Sequence, residues 1–218
     1  MIVVGFPESF SGRTTQAFAE AVKQDSGFGP HAAFFKAALE KLLGKNQPVE
    51  LWGLSTGAPI ISMILKDPAY QERVNQAVLV CPASSVDQSV ASLNLGAMHD
   101  LGAMKERGQS AYFTMTVESK IPREKEQIKL REEIFGALIT KVAKKNEAWK
   151  EARVQDGGNI VVVSGRKDKI TKSAERNQDF QQHPQVRVLD LPNGYHMSPQ
   201  VDAERVIPAI FELQQSAN

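Results

Sequence analysis

Short runs of β-branched and apolar residues, each stopped by glycine or proline, alternate with segments of helical period along most of this chain. Residues 2–4 stop at Gly5 and Pro7, 49–52 at Gly53, 77–81 at Pro82, 159–163 at Ser164 and Gly165, and 186–189 shortly before Pro192. Between them, residues 15–23, 30–43, 58–65, 173–180 and 198–213 repeat their apolar residues at helical spacing. In the second of these, Phe34, Ala37, Ala38 and Leu42 form one stripe, with Gly44 as its stop. Strands this short and apolar, joined by helices rather than hairpins, call for a mostly parallel sheet covered on both faces, a three-layer α/β arrangement. Pro199 suits the first turn of the last helix, whereas Pro208 should kink or restart it.

Residues 84–155 break the alternation. They contain no strong strand, and 124–149 form a charged helical stretch whose apolar face is Ile134, Phe135, Leu138, Ile139 and Val142. The expected organisation is one α/β core made of residues 1–83 and 156–218, with 84–155 inserted as a helical lid over the sheet. A chain of 218 residues is long enough for one such core.

Composition excludes several classes. Apolar residues at 42% and charged residues at 23% match an ordinary globular protein. A net charge of +1 gives no reason to expect nucleic acid or an anionic membrane surface as partner. Cys81 is the only cysteine, so neither a disulfide framework nor a cysteine zinc cluster can form within the chain, and a reducing, cytoplasmic compartment is expected. No apolar run approaches the roughly 20 residues needed for a membrane span. The chain has no phosphate-binding G-x-x-x-x-G-K-[ST] loop, no G-x-G-x-x-G and no H-E-x-x-H, and neither a cofactor nor a metal is expected. The basic run 141–150 reads as the solvated face of a helix.

The chemistry centres on Gly53-Leu54-Ser55-Thr56-Gly57, a G-x-S-x-G pattern set between a strand and an apolar helix. Such a turn lifts a serine hydroxyl above the carboxyl edge of the sheet, where open α/β folds bind ligands. A serine nucleophile needs a base, and the base needs an acid to hold its tautomer. Asp168, in Ser164-Gly-Arg-Lys-Asp168, and His196, in Pro192-Asn-Gly-Tyr-His196, each follow a later strand, so the order is Ser, Asp, His. Asp87, after the strand 77–81, is the alternative acid. The other histidines read as bystanders: His31 opens a helix, His99 lies in the insertion and His183 sits in a surface turn before Pro184.

With the elbow GLSTG, the acid loop SGRKD and the histidine loop NGYHM in that order, the chain resembles the α/β-hydrolase superfamily over essentially its whole length. The resemblance implies that Ser55 is nucleophile, His196 base and then acid, Asp168 the orienting carboxylate and the Thr56 N–H an oxyanion donor. It implies acyl transfer to water, with a small-molecule acyl substrate. Candidate substrate contacts are Leu54 beside the serine, Phe6 in the first loop, and Tyr112 and Phe113 in the insertion, with Leu93, Leu95, Met98 and Met115 as further lining or lid core. Assembly as a homo-oligomer is left open.

The N-terminus departs from the family pattern. Residues 3–14, VVGFPESFSGRT, resemble the strand and loop that run roughly fifty residues ahead of the nucleophile, so the earlier strand whose loop gives the second oxyanion donor is missing. Three expectations stay open: the chain is truncated, or the loop from Phe6 to Ser9 supplies the donor, or the fold binds a ligand or acts as a scaffold without catalysis. Truncation is favoured, because an uncovered sheet edge is a liability.

Overall fold

The computed structural model describes residues 14–106, 125–196 and 202–215. Four strands, β1 (Val49–Leu54), β2 (Val74–Val80), β3 (Asn159–Gly165) and β4 (Val186–Leu191), form a parallel sheet in the spatial order β1-β2-β3-β4. Leu54 pairs with Val80, Val80 with Val163, and Gly165 with Leu191, so the carboxyl ends of all four strands meet along one edge. Every residue of β3 is buried, as an inner parallel strand requires.

Side chains alternate across the sheet into two cores. On one face Leu51, Leu79, Ile160 and Val162 join Ala58, Ile60 and Ile64 of α3 (Gly57–Ile64), together with α1 (Gln16–Gln24), α2 (Gly29–Leu43), α4 (Pro68–Gln71) and α7 (Asn177–Gln181). On the other, Val78, Val80, Val161 and Val163 meet Val206 and Ile210 of α8 (Ala203–Gln215). The result is the expected three layers. α3 is apolar almost all round because it is wedged under the other helices, with six of its eight residues buried. Thr15 caps α1, its hydroxyl accepting the Phe18 N–H at 3.2 Å.

Between β2 and β3 lie α5 (Val90–Glu106), α6 (Lys125–Val142) and a 3-10 turn, Ala148–Lys150. α6 buries Leu130, Ile134 and Leu138, one residue per turn, in the same core as α1. Phe135 is exposed, contrary to the stripe read from the sequence, because α1 grips α6 along that single ridge. The stripe on α2 is also rotated: His31 and Ala32 are buried, Phe35 and Leu39 pack on the core, and Leu42 is exposed. Apolar residues on nearly every side of this helix left its phase ambiguous.

Two further expectations are corrected. α8 runs unbroken through Pro208, which lies on the exposed face, where water can serve the Glu204 carbonyl that loses its helical donor. His183 is buried rather than in a surface turn: its Nε2 lies 3.0 Å from the Ala152 carbonyl, because the segment before β3 covers the turn. Burial, then the nearby Arg153, pushes its pKa down. Trp149 packs on Phe180 at 4.8 Å, and Trp52 on Phe211 at 6.1 Å, so both act in packing, and Trp52 stays partly exposed. No helix among the described residues is long and apolar enough to cross a membrane.

Candidate active site

Ser55 leaves β1 with its N–H still in the ladder, donating to the Val80 carbonyl at 2.8 Å. Its φ of 51° is left-handed, which costs a non-glycine residue roughly 1–2 kcal/mol. The strain is held in place by the Ala58 and Ala83 N–H groups, which both donate to the Ser55 carbonyl at 3.1 Å. The turn is so tight that a Cβ on Gly53 would stand 2.7 Å from the Gly57 carbonyl carbon and oxygen. One glycine of the motif is therefore demanded by contact, while the other, Gly57, faces open space. Thr56 occupies the N-cap of α3, where N–H groups lack intrahelical acceptors and the helix dipole favours negative charge.

Asp168 follows β3 in a turn closed by its own N–H, which donates to Gly165 at 3.1 Å. Its carboxylate is buried and fully engaged. Oδ1 accepts the Ile170 and Thr171 N–H groups at 2.8 and 3.0 Å, and Oδ2 accepts the Thr171 hydroxyl at 2.5 Å. Burial alone would raise this pKa, but the His196 ring and the Thr171 donors outweigh it and hold the carboxyl below its usual range.

His196 stands past β4 on a loop stapled to the acid loop: the Lys167 N–H donates to the Gly194 carbonyl at 2.9 Å and the Arg166 N–H to Leu191 at 3.1 Å. The His196 Nδ1 lies 3.0 Å from Asp168 Oδ2. A carboxylate can only accept, so Nδ1 carries a proton, and in the neutral ring this leaves the lone pair on Nε2, the tautomer a general base needs. Among the described residues neither Ser55 Oγ nor His196 Nε2 makes a hydrogen bond.

Asp87 is not at this site; it is exposed and accepts the Lys145 N–H at 2.9 Å. Leu54 borders Ser55 and is partly exposed, Leu93 is buried, and Leu95 and Met98 are exposed on α5. Phe6, the loop to Ser9, Tyr112, Phe113 and Met115 lie outside the described residues.

Three neighbours escaped the sequence reading. Thr171 is part of the acid loop. Cys81 stands just past β2, with its sulfur, an Asp168 oxygen and a His196 nitrogen all within 4.8 Å of one another. Its position directly after a strand was a usable signal. Burial, then the Asp168 carboxylate, pushes the thiol pKa well above its usual value. These three groups could ligate a metal, but the Asp168 oxygens already accept the Ile170 and Thr171 N–H groups, the Thr171 hydroxyl and the His196 Nδ1–H, so the set fits an acid–base pair better. The third neighbour, Asp100 on α5, accepts the His196 backbone N–H at 2.8 Å and had no local signal at all.

No protein-family model matches the sequence, and no curated protein matches it. Solved structures do. A lipase-esterase related protein from Clostridium acetobutylicum superposes with a TM-score of 0.61 at 16% identity, over 87% of this chain and 76% of that one. NosK from Streptomyces actuosus gives 0.57 at 17% identity, over 98% and 84%. An esterase from Exiguobacterium antarcticum gives 0.55 at 14% identity, over 87% and 74%. Likenesses this distant in sequence carry the architecture and nothing finer: the chain has the α/β-hydrolase fold.

Proposed function

We propose that the protein is a serine hydrolase that cleaves a carboxylic ester or related acyl compound. The observation that carries this reading is the 3.0 Å Asp168–His196 pair standing on the same sheet edge as a left-handed Ser55. The esterase and lipase-esterase descriptions of two structural neighbours support it.

In this reading His196 Nε2 takes the Ser55 hydroxyl proton as Oγ attacks the substrate carbonyl carbon. The tetrahedral oxyanion is met by the Thr56 N–H. The C–O bond to the leaving group breaks as His196 returns the proton to that oxygen, leaving an acyl-Ser55. Water, deprotonated by His196, then cleaves the acyl bond and restores Ser55. Asp168 stays ionised throughout and stabilises the imidazolium. Residues 84–155 would be the lid, and Leu54, Phe6, Tyr112 and Phe113 would contact the acyl group.

Short p-nitrophenyl esters test this. Turnover by the full chain that falls at least about 10³-fold in Ser55→Ala and in His196→Ala supports it. Turnover unchanged by Ser55→Ala would sink it. A second reading is a ligand-binding protein without catalysis, which needs no proton transfer between Ser55 and His196; among the described residues their Oγ and Nε2 share no hydrogen bond. Catalytic hydrogen bonds often tighten only with substrate bound, so the unbonded geometry is compatible with both readings, and Ser55-dependent turnover excludes the second.

A further inference from the structure

We propose that Asp100 is a positioning residue through which helix α5 sets the orientation of His196; this rests on the serine-hydrolase reading above. Asp100 is 2% exposed, and its Oδ2 accepts the His196 backbone N–H at 2.8 Å across 96 residues of sequence. The adjoining pair matches it: the His99 ring lies over the Tyr195 ring at 6.0 Å, tilted by 32°. Two consecutive helix residues thus hold two consecutive residues of the histidine loop.

The same helix is seated on the acid loop. A Cβ on Gly96 would lie 2.2 Å from the Lys169 carbonyl oxygen and 2.9 Å from the Ile170 N, so the α5 backbone rests directly on the peptide that follows Asp168. Just before α5, the Gln88 side-chain amide donates to the Ile170 carbonyl at 2.7 Å. α5 therefore touches both halves of the acid–histidine pair, and Asp100 is its carboxylate contact with the histidine half.

A buried carboxylate is costly unless it is used. Burial raises the Asp100 pKa, opposed by the His196 N–H and the His99 ring, with Asp168 a further like charge nearby. A carboxylate kept in such surroundings serves the donor it faces. Without it the His196 N–H is buried with no acceptor, and the loop is free to rotate the ring away from Asp168.

The test compares full-length wild type, Asp100→Ala, Asp100→Asn and Asp100→Leu. Asparagine keeps an acceptor oxygen, while leucine removes it and fills the volume if alanine does not fold. With p-nitrophenyl butyrate, kcat should fall about 10- to 100-fold in the alanine and leucine variants, with KM changed by less than about threefold and asparagine near wild type. The downfield proton resonance of His196 Nδ1 should persist in wild type and Asp100→Asn and broaden or vanish in the other two. A leucine variant with wild-type kcat and an unchanged resonance would overturn the proposal. The resonance needs no substrate, so it still tests Asp100 if wild type turns over no ester, a result that would count against the hydrolase reading alone.

Discussion

His196 Nδ1 sits 3.0 Å from Asp168 Oδ2, on a carboxylate that the Thr171 hydroxyl and two backbone N–H groups also hold. Asp168→Asn preserves the shape but offers an amide N–H to Nδ1, favouring the wrong tautomer. We expect kcat to fall about 10³- to 10⁴-fold with the circular dichroism spectrum unchanged. A loss below tenfold would remove Asp168 from the acid role.

Thr171→Val deletes one charge-assisted bond and leaves the rest of the acid loop in place. It should cost about 1–3 kcal/mol in urea unfolding. The sign of its pH effect follows from the lowered Asp168 pKa. That carboxylate contributes stability above the unfolded value of 3.8, which is lost as pH falls through the folded value. Removing a donor raises the folded value, so the acid limb of the stability–pH profile should move to higher pH. An unmoved limb would contradict this.

Gly53→Ala places a methyl group against the Gly57 backbone and Ile61. The turn must open, at a cost of about 1–3 kcal/mol, and activity should fall with it. Gly57→Ala meets nothing within 4 Å and should be milder on both measures.

Stability should decline on acidification in two stages. The folded His183 pKa lies below 6.5, so the unfolded chain binds its proton first and stability drops as pH falls from 6.5 through the folded value. Glu147 is shifted from 4.5 to about 2: burial opposes the change, but Lys145, Lys150 and Arg176 outweigh it. Its contribution is present above about pH 4.5 and fades toward pH 2. Asp100, raised by burial, works in the opposite sense. Urea midpoints at pH 7, 5.5 and 4 should fall in wild type, with a flatter first step in His183→Gln; equal midpoints at pH 7 and 5.5 would refute the His183 part.

The four described strands and the order of the three chemical residues were legible because each rests on a local signal: a β-branched run, a stop, and a polar residue just past it; the strand expected at residues 2–4 lies outside the described residues. Ser55, Asp168 and His196 fall at strand ends for that reason. Helix phase was harder wherever apolar residues surround the axis, as on α2, where Leu42 turned outward and His31 inward. Asp100 was illegible in principle, since its partner lies 96 residues away and nothing near it in sequence marks a carboxylate that will be buried. Cys81 lay between these cases, placed by its strand but given its neighbours only by the meeting of β2 and β3.

The central claim is that Ser55 is the nucleophile, and covalent capture tests it most directly. Treatment of the full chain with a fluorophosphonate, followed by intact and peptide mass spectrometry, should show one adduct, on the peptide containing Ser55. It should be absent in Ser55→Ala and slower to form in His196→Ala. An adduct that persists in Ser55→Ala, or that maps to another residue, would contradict the account.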